Sequence, residues 1–298
     1  MKRWLWLAMI PGALTLGLVF YLRIRYTRLP VVSFDIDIAS TILVPGLLIT
    51  GLTVIIVYLV SRIENARIEA REMAAEDRRS FLRRLDHELK NPITAIFMGT
   101  ANLKIAQSPG QNRANIENIE VHTRRLQILT SDLRKLADLE RKPIEQAPVD
   151  VATLLQETFD ITTDIHQDKE REFRLTLPSV PWPLPYVRGD RDLLQLAFHN
   201  LLDNAVKFSD NQDSIELRAF EDGSFVTIEV ADSGRGISSQ DLPYIWEELY
   251  RGDLARGIPG SGLGLALTKA IIERHGGSIS ARSRVGDGTV VSVSLPLS

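Results

Sequence analysis

No cysteine occurs in the 298-residue chain, which removes disulfides, thiolate zinc or iron–sulfur sites and a cysteine nucleophile. An excess of one charge is missing too. The balance is 35 Lys and Arg against 38 Asp and Glu, a net charge of −3, with no basic patch to support nucleic-acid binding. Internal repeats and low-complexity tracts are also absent. Charge vanishes locally in two places, because Trp4 to Leu22 and Ala39 to Val60 are apolar over about the 20 residues that a helix needs to cross hydrocarbon. Lys2 and Arg3 ahead of the first run also fit the start of a cleaved signal peptide. The run is long, however, and has no Ala-x-Ala-like site before Arg23.

Positive charge around the runs sets the topology. Lys2 and Arg3 precede the first, and Arg62, Arg67, Arg71, Arg78 and Arg79 follow the second, which places both ends in the cytoplasm. Arg23, Arg25 and Arg28 in the intervening loop, with only Asp35 and Asp37 against them, weaken that bias without reversing it. The loop, from about Arg23 to Ile38, is too short to fold as a ligand-binding domain. Residues 1–60 therefore read as a membrane anchor with spans at about 4–22 and 39–60.

The soluble part changes texture twice. Arg62 to about Gln107 is rich in Ala, Glu, Arg and Leu, strong helix formers, and ends at a turn, Ser108-Pro109-Gly110. From Asn112 to about Glu140, Ile119, Leu126, Leu129, Leu133 and Leu136 recur at coiled-coil spacing and predict a second helix. Residues 61–140 then form a helical hairpin whose apolar stripes a second copy would cover as a four-helix bundle, so a homodimer is expected. Arg141 to Asp150, with Pro143 and Pro148, reads as a linker. Beyond it, strands are predicted at Phe173–Leu177, Ile215–Phe220, Phe225–Val230, Ser278–Arg282 and Thr289–Leu295, and helices at Arg191–Phe208 and Gly262–His275. That grouping predicts an α+β sandwich over residues 151–298, with helices on one face of a mixed sheet.

Three clusters carry chemistry. In Asp86-His87-Glu88-Leu89-Lys90-Asn91-Pro92, Leu82, Leu85 and Leu89 supply the core side of the helix, leaving His87 to solvent beside a carboxylate. An imidazole so placed is a workable nucleophile toward a phosphoryl group, although such a histidine on its own is more often inert. In the segment from His199 to Phe208, Asn200, Asn204 and Lys207 share one helical face, where an amide oxygen can hold magnesium and Lys207 can pair with phosphate. An isolated Asn-x-x-x-Asn is more often an ordinary polar face. The third cluster has two glycine-rich parts, Asp232-Ser233-Gly234-Arg235-Gly236-Ile237 and Gly260-Ser261-Gly262-Leu263-Gly264-Leu265, separated by a loop holding Arg251 and Arg256. Asp232 follows a strand and can accept from an adenine amino group, and the second part opens a helix whose free amides can receive phosphate.

In this order, His-Glu, Asn-x-x-x-Asn, Asp-x-Gly-x-Gly and Gly-x-Gly-Leu-Gly, the stretch from about Ser80 to Leu297 resembles the bacterial two-component sensor histidine kinases. The tail, with Gly276-Gly277, Gly286-Asp287-Gly288-Thr289 and Leu295-Pro296, is similar to the closing strands of that family. The resemblance implies a dimeric phosphotransfer hairpin followed by the ATP-binding sandwich shared with gyrase, heat-shock chaperones and MutL. It implies His87 as phosphoacceptor, Glu88 as the neighbouring acid–base residue and Asn91 as a positioner of water for dephosphorylating a partner. It further implies Asn204 as Mg²⁺ ligand, supported by Asn200, with Lys207 on phosphate and Asp232 on adenine. Gly234, Gly236, Gly260, Gly262 and Gly264, with Arg251 and Leu263, would then shape the ATP pocket and its lid. A cognate response regulator and residence in the bacterial inner membrane, with the catalytic domains cytoplasmic, are implied as well.

The chain departs from the family where two phenylalanines are usual, carrying Trp246 and Leu249 instead. It also has too little sequence between Val60 and Ser80 for a separate relay module, so the second span is expected to run straight into the hairpin. ATP-driven clamps on the same sandwich use a glutamate base where this chain has Asn200, and a carboxamide cannot deprotonate water. A membrane scaffold with a degenerate nucleotide site is the other alternative, and intact His87, Asn204 and Asp232 speak against it.

Overall fold

A computed structural model describes residues 13–14, 16–18, 20–21, 24–25, 38–105, 108–166, 171–178, 182–255 and 257–297. Much of the expected first span, and Arg256, lie outside the described residues. The chain divides into two compact units, Met1–Ser80 and Phe81–Ser298.

The first unit contains the start of helix α1 (Ile38–Ile105). An 18-residue window of mean hydropathy 2.5 makes it the one helix among the described residues long and apolar enough to cross a membrane. Its leucines and isoleucines, Leu47, Leu48, Leu52 and Ile55 among them, are exposed. No break occurs at Val60, because the Ala, Glu and Arg residues that follow are strong helix formers.

In the second unit, the C-terminal part of α1 and helix α2 (Pro109–Arg141) make the hairpin. Pro109 and Gly110, expected in a turn, are the first residues of α2. Ser108 is the cap residue, its hydroxyl accepts from the Gln111 N–H at 3.3 Å, and Pro109 opens the helix, where its missing N–H costs nothing. The inward face of α1 is also shifted, since Phe81, Leu85 and Leu89 pack inward whereas Leu82 is 52% exposed.

The expected linker is partly structured. Strand β1 (Ala147–Val149) pairs antiparallel with β3 (Val187–Gly189), and Asp150 caps a further helix, α3 (Val151–Ile165), by accepting from the Thr153 N–H. Strand β2 (Glu172–Thr176) lies between α3 and β3 in the chain, and helix α4 (Arg191–Phe208) follows β3. Next come β4 (Ser214–Asp222) and β5 (Phe225–Asp232), joined through Gly223 and Ser224, then α5 (Gly264–Arg274), β6 (Ser278–Arg284) and β7 (Gly288–Pro296). The five-stranded sheet runs β2-β4-β5-β7-β6, with β2 parallel to β4 and the other pairs antiparallel. This is the mixed sheet of the expected α+β fold.

Alternate residues of β4, Ile215, Leu217 and Ala219, are buried, so one sheet face meets the helices. Leu155 of α3, Phe198 and Leu202 of α4, and Ile271 and Ile272 of α5 join them in a single core. Asp232 is carried at the end of β5, and α4 presents its polar side next to it, so the core fixes the backbone on which the site is built.

Phe198 is completely buried, and Phe198→Ala should destabilise the protein by about 3–5 kcal/mol, since a large core cavity opens. Phe225→Ala, at a side chain 42% exposed, should change stability by under about 0.5 kcal/mol. Thermal melts of the full chain in detergent check the contrast.

Candidate functional site

A cavity of about 550 Å³ opens between α4, the end of β5, the segment after it and the start of α5. Of the residues singled out by sequence, Asn200, Asn204, Lys207, Asp232, Gly236, Arg251, Gly260, Gly262 and Gly264 line it. Gly234 and Leu263 do not. Asn200 links the two helices at this point through a long contact, 3.5 Å, from its amide to the Gly264 carbonyl. Gly234 acts from behind the wall. A Cβ there would lie 2.3 Å from the Phe208 carbonyl oxygen, and one on Gly236, at φ +69°, would lie 2.0 Å from that of Arg284. These two glycines let the loop after β5 press against its neighbours, whereas Gly260 has nothing within 4 Å of a Cβ position and faces open space.

Asp232 is held by this loop. Its carboxylate accepts from the Gly234 N–H at 3.0 Å, yet burial dominates and pushes its pKa up to about 6, with the charge of Asp213 adding to the effect. The backbone N–H groups of Gly234 and Thr289 oppose the shift only in part.

The two basic side chains singled out by sequence that line the cavity, Lys207 and Arg251, are already engaged. Lys207 pairs with Asp203 at 2.5 Å, one turn back along α4. The Arg251 guanidinium donates to the carbonyls of Ala255 (2.8 Å), Ile258 (2.5 Å) and Gly260 (3.3 Å), folding the loop that precedes Gly260 around itself. That loop begins at an anchored point, because the Tyr250 hydroxyl donates to Asp241 at 2.7 Å; burial and this carboxylate push the Tyr250 phenol up to about 12.

The hairpin contributes Ile128, Asp132 and Lys135 of α2 to the same cavity. His87 is exposed on α1, as its neighbours predicted, and Asn91 is exposed one turn further on. Glu88 pairs with Arg125 of α2 at 2.5 Å. None of these three α1 residues lines the cavity. A seam joins hairpin to sandwich instead. Leu129 of α2 is buried with Leu249 and Leu263, ringed by Phe81, Leu85, Leu89 and Leu133. Arg84 reaches Glu247 at 2.8 Å, and the Ser261 hydroxyl donates to Asp132 at 2.8 Å. Leu249 sits at φ +61°, a left-handed conformation that costs a non-glycine residue roughly 1–2 kcal/mol, stabilised by its N–H bond to the Gly262 carbonyl and by burial. Trp246 lines a second crevice with Leu136 and Leu139. The two bulky residues that stand where the family usually has phenylalanines therefore pack toward the hairpin.

Comparison with known proteins decides the family. The model for the histidine kinase-, DNA gyrase B- and HSP90-like ATPase matches residues 189–298, and that for the His Kinase A (phospho-acceptor) domain matches residues 77–142. The sensor-like histidine kinase SenX3 of Mycobacterium bovis is 31% identical over 247 residues, covering 81% of this chain and 58% of the relative. The chain belongs to the two-component sensor histidine kinases. CpxA of Escherichia coli K12, a sensor histidine kinase, is 28% identical over 236 residues, 78% of this chain and 50% of that protein. Full-length ShkA in complex with AMPPNP is similar over 71% of this chain and 44% of its own, at 26% identity and a TM-score of 0.53. Histidine kinase ThkA, in complex with the response regulator protein TrrA, shares the fold at 21% identity and a TM-score of 0.60, over 81% of this chain and 66% of that chain. The chain thus spans about three-fifths of the first curated relatives it matches.

Sequence reasoning missed Asp132, Lys135, Asp203 and Thr289 as cavity residues. Asp203 lies within the segment from His199 to Phe208 and shares the helical face of Asn200 and Lys207, so its spacing could have flagged it. Nothing local marks Asp132 or Lys135, because their role comes from the packing of α2 against the sandwich.

Asp232 gives a pH prediction. A carboxyl whose folded pKa is raised from 3.8 to about 6 favours the folded state fully below about pH 4 and loses that contribution as pH rises through about 6. Relative to Asp232→Asn, the native chain should therefore lose stability between pH 4 and pH 7, read as a growing deficit in melting temperature.

Proposed function

We propose that this chain is a membrane-anchored kinase that transfers the γ-phosphoryl group of ATP to His87 and passes it to an aspartate of a separate response regulator. The observation that carries the reading is the pairing of a pocket bearing Asp232, Asn204 and Lys207 with an exposed imidazole on the adjoining hairpin. Asp232, half-buried at the end of β5, accepts from the adenine amino group. Lys207 exchanges Asp203 for phosphate oxygens, and the α5 start receives the polyphosphate. Asn200 is a carboxamide, so the site offers no base at that position for hydrolysing ATP, and phosphoryl transfer to a side chain is favoured over a hydrolytic clamp.

Among the described residues no group of three or more acidic, histidine or cysteine side chains forms a metal cage. A single amide oxygen, Asn204, suits Mg²⁺, which keeps few protein ligands and takes the rest from phosphate and water. Bound there, Mg²⁺ would supply positive charge against the polyphosphate. The chain's own residues do the rest. The unprotonated ring nitrogen of His87 attacks the γ-phosphorus, the N–P bond forms as the bond to the ADP oxygen breaks, and Glu88, once free of Arg125, orients the imidazole and accepts its remaining proton. Asn91, exposed one turn on, positions water when the partner's phosphoaspartate is hydrolysed.

His87 and the pocket meet only after the sandwich moves on the hairpin, with the hinge placed at residues 142–146, between α2 and β1. Homodimerisation is supported by Leu82, Ile93 and Phe97, which lie on one face of α1 and are 52%, 55% and 70% exposed. The apolar start of α1, followed by Arg62, Arg67 and Arg71, supports one membrane crossing with the kinase in the cytoplasm. The second pass of the proposed multi-pass anchor in the bacterial inner membrane rests on the apolar sequence from Trp4 to Leu22.

The full chain in detergent, incubated with γ-labelled ATP, should acquire acid-labile, base-stable label, and His87→Gln should abolish it. Unlabelled native protein, or full labelling of His87→Gln, would sink this reading.

A further inference from the structure

The hairpin does more than hold the phosphoacceptor, since α2 forms part of the nucleotide cavity. Asp132 lines it, and one carboxylate oxygen accepts from the Ser261 hydroxyl at 2.8 Å. Ser261 lies between Gly260 and Gly262, in the segment that opens α5, and its own oxygen accepts from the Leu263 N–H at 3.2 Å. One short bond thus ties the phosphate-receiving end of the sandwich to the hairpin. The neighbouring Lys135 sits 3.7 Å from Asp132 and lines the cavity too. Both lysines of the cavity are therefore matched to aspartates, Lys207 to Asp203 and Lys135 to Asp132.

A polyphosphate entering that space brings several negative charges near the Asp132 carboxylate, whose side chain is only 17% exposed, so repulsion is weakly screened. It also draws Lys135 away, leaving Asp132 without its counter-charge. The contact that fails is then the one to Ser261, and the adjoining seam holds Leu249 in a strained left-handed conformation that its release would relax.

We propose that Asp132 is a positioning residue that latches the glycine-rich segment to the hairpin through Ser261, and that a bound nucleoside triphosphate opens this latch. The inference rests on the cavity being the ATP site. Binding and unlatching are reciprocal: whatever the latch costs the nucleotide, the nucleotide costs the latch. ATP itself then frees the sandwich to approach His87, and the dependence on phosphate charge makes adenosine an ineffective opener.

The test uses the full chain in lipid nanodiscs, with a fluorescent adenine nucleotide displaced by adenosine, by ADP and by a non-hydrolysable triphosphate. Asp132→Asn, which removes the charge, and Ser261→Ala, which removes the bond, should each tighten triphosphate binding about tenfold, or ~1.4 kcal/mol. The double variant should gain no more than either single one, and adenosine affinity should not move. Unchanged or weaker triphosphate binding in both variants overturns the latch, as do equal shifts for adenosine and triphosphate, which mark a merely structural role. Failure of the native chain to bind any of the nucleotides contradicts the ATP site itself.

Discussion

The seam of Leu129, Leu249 and Leu263 is the contact on which the arrangement of the second unit depends. Each leucine withdrawn from water there contributes roughly 1.5–3 kcal/mol, enough to hold a docked state and little enough for ligand binding to compete with it. Docking brings α2 over the nucleotide cavity while His87 faces solvent elsewhere on α1. On the proposed reading, the donor site and the acceptor of the phosphoryl group are thus present in one chain but apart, and control of the transfer would reduce to control of the seam.

Charge inside the cavity follows the same logic. Two lysine–aspartate pairs and an arginine turned onto backbone carbonyls leave each of these cations with an oxygen partner. On the proposed reading, incoming phosphate would exchange these partners rather than meet bare cations, and its binding would rearrange residues on both α4 and α2. Asp232 is separate from that exchange. It is held by the loop after β5, whose glycines allow backbone to press on backbone.

The sequence was most legible where chemistry and local structure coincide. The spacing of Asn200, Asn204 and Lys207 on one helical face, and Asp232 at a strand end, correspond to one cavity because secondary structure alone brings each set together. The exposure of His87 was legible for the same reason. Helix α3 and the short pair β1 and β3 were not, since Thr-rich and Pro-containing segments have weak local preference and take their form from the core they cover. Leu263 stands in the glycine motif, and its side chain is buried in the seam. Its burial partner Leu129 lies over a hundred positions away, and no local pattern reports such a contact.

Because the chain has no cysteine, the seam can be locked without ambiguity. Asp132→Cys combined with Ser261→Cys places two thiols where side chains already touch at 2.8 Å. Autophosphorylation of this variant in detergent, compared between its oxidised and reduced forms, tests directly whether the docked arrangement must open. The oxidised protein should take up no label on His87 and recover it on reduction. Equal labelling of the two forms would contradict the account.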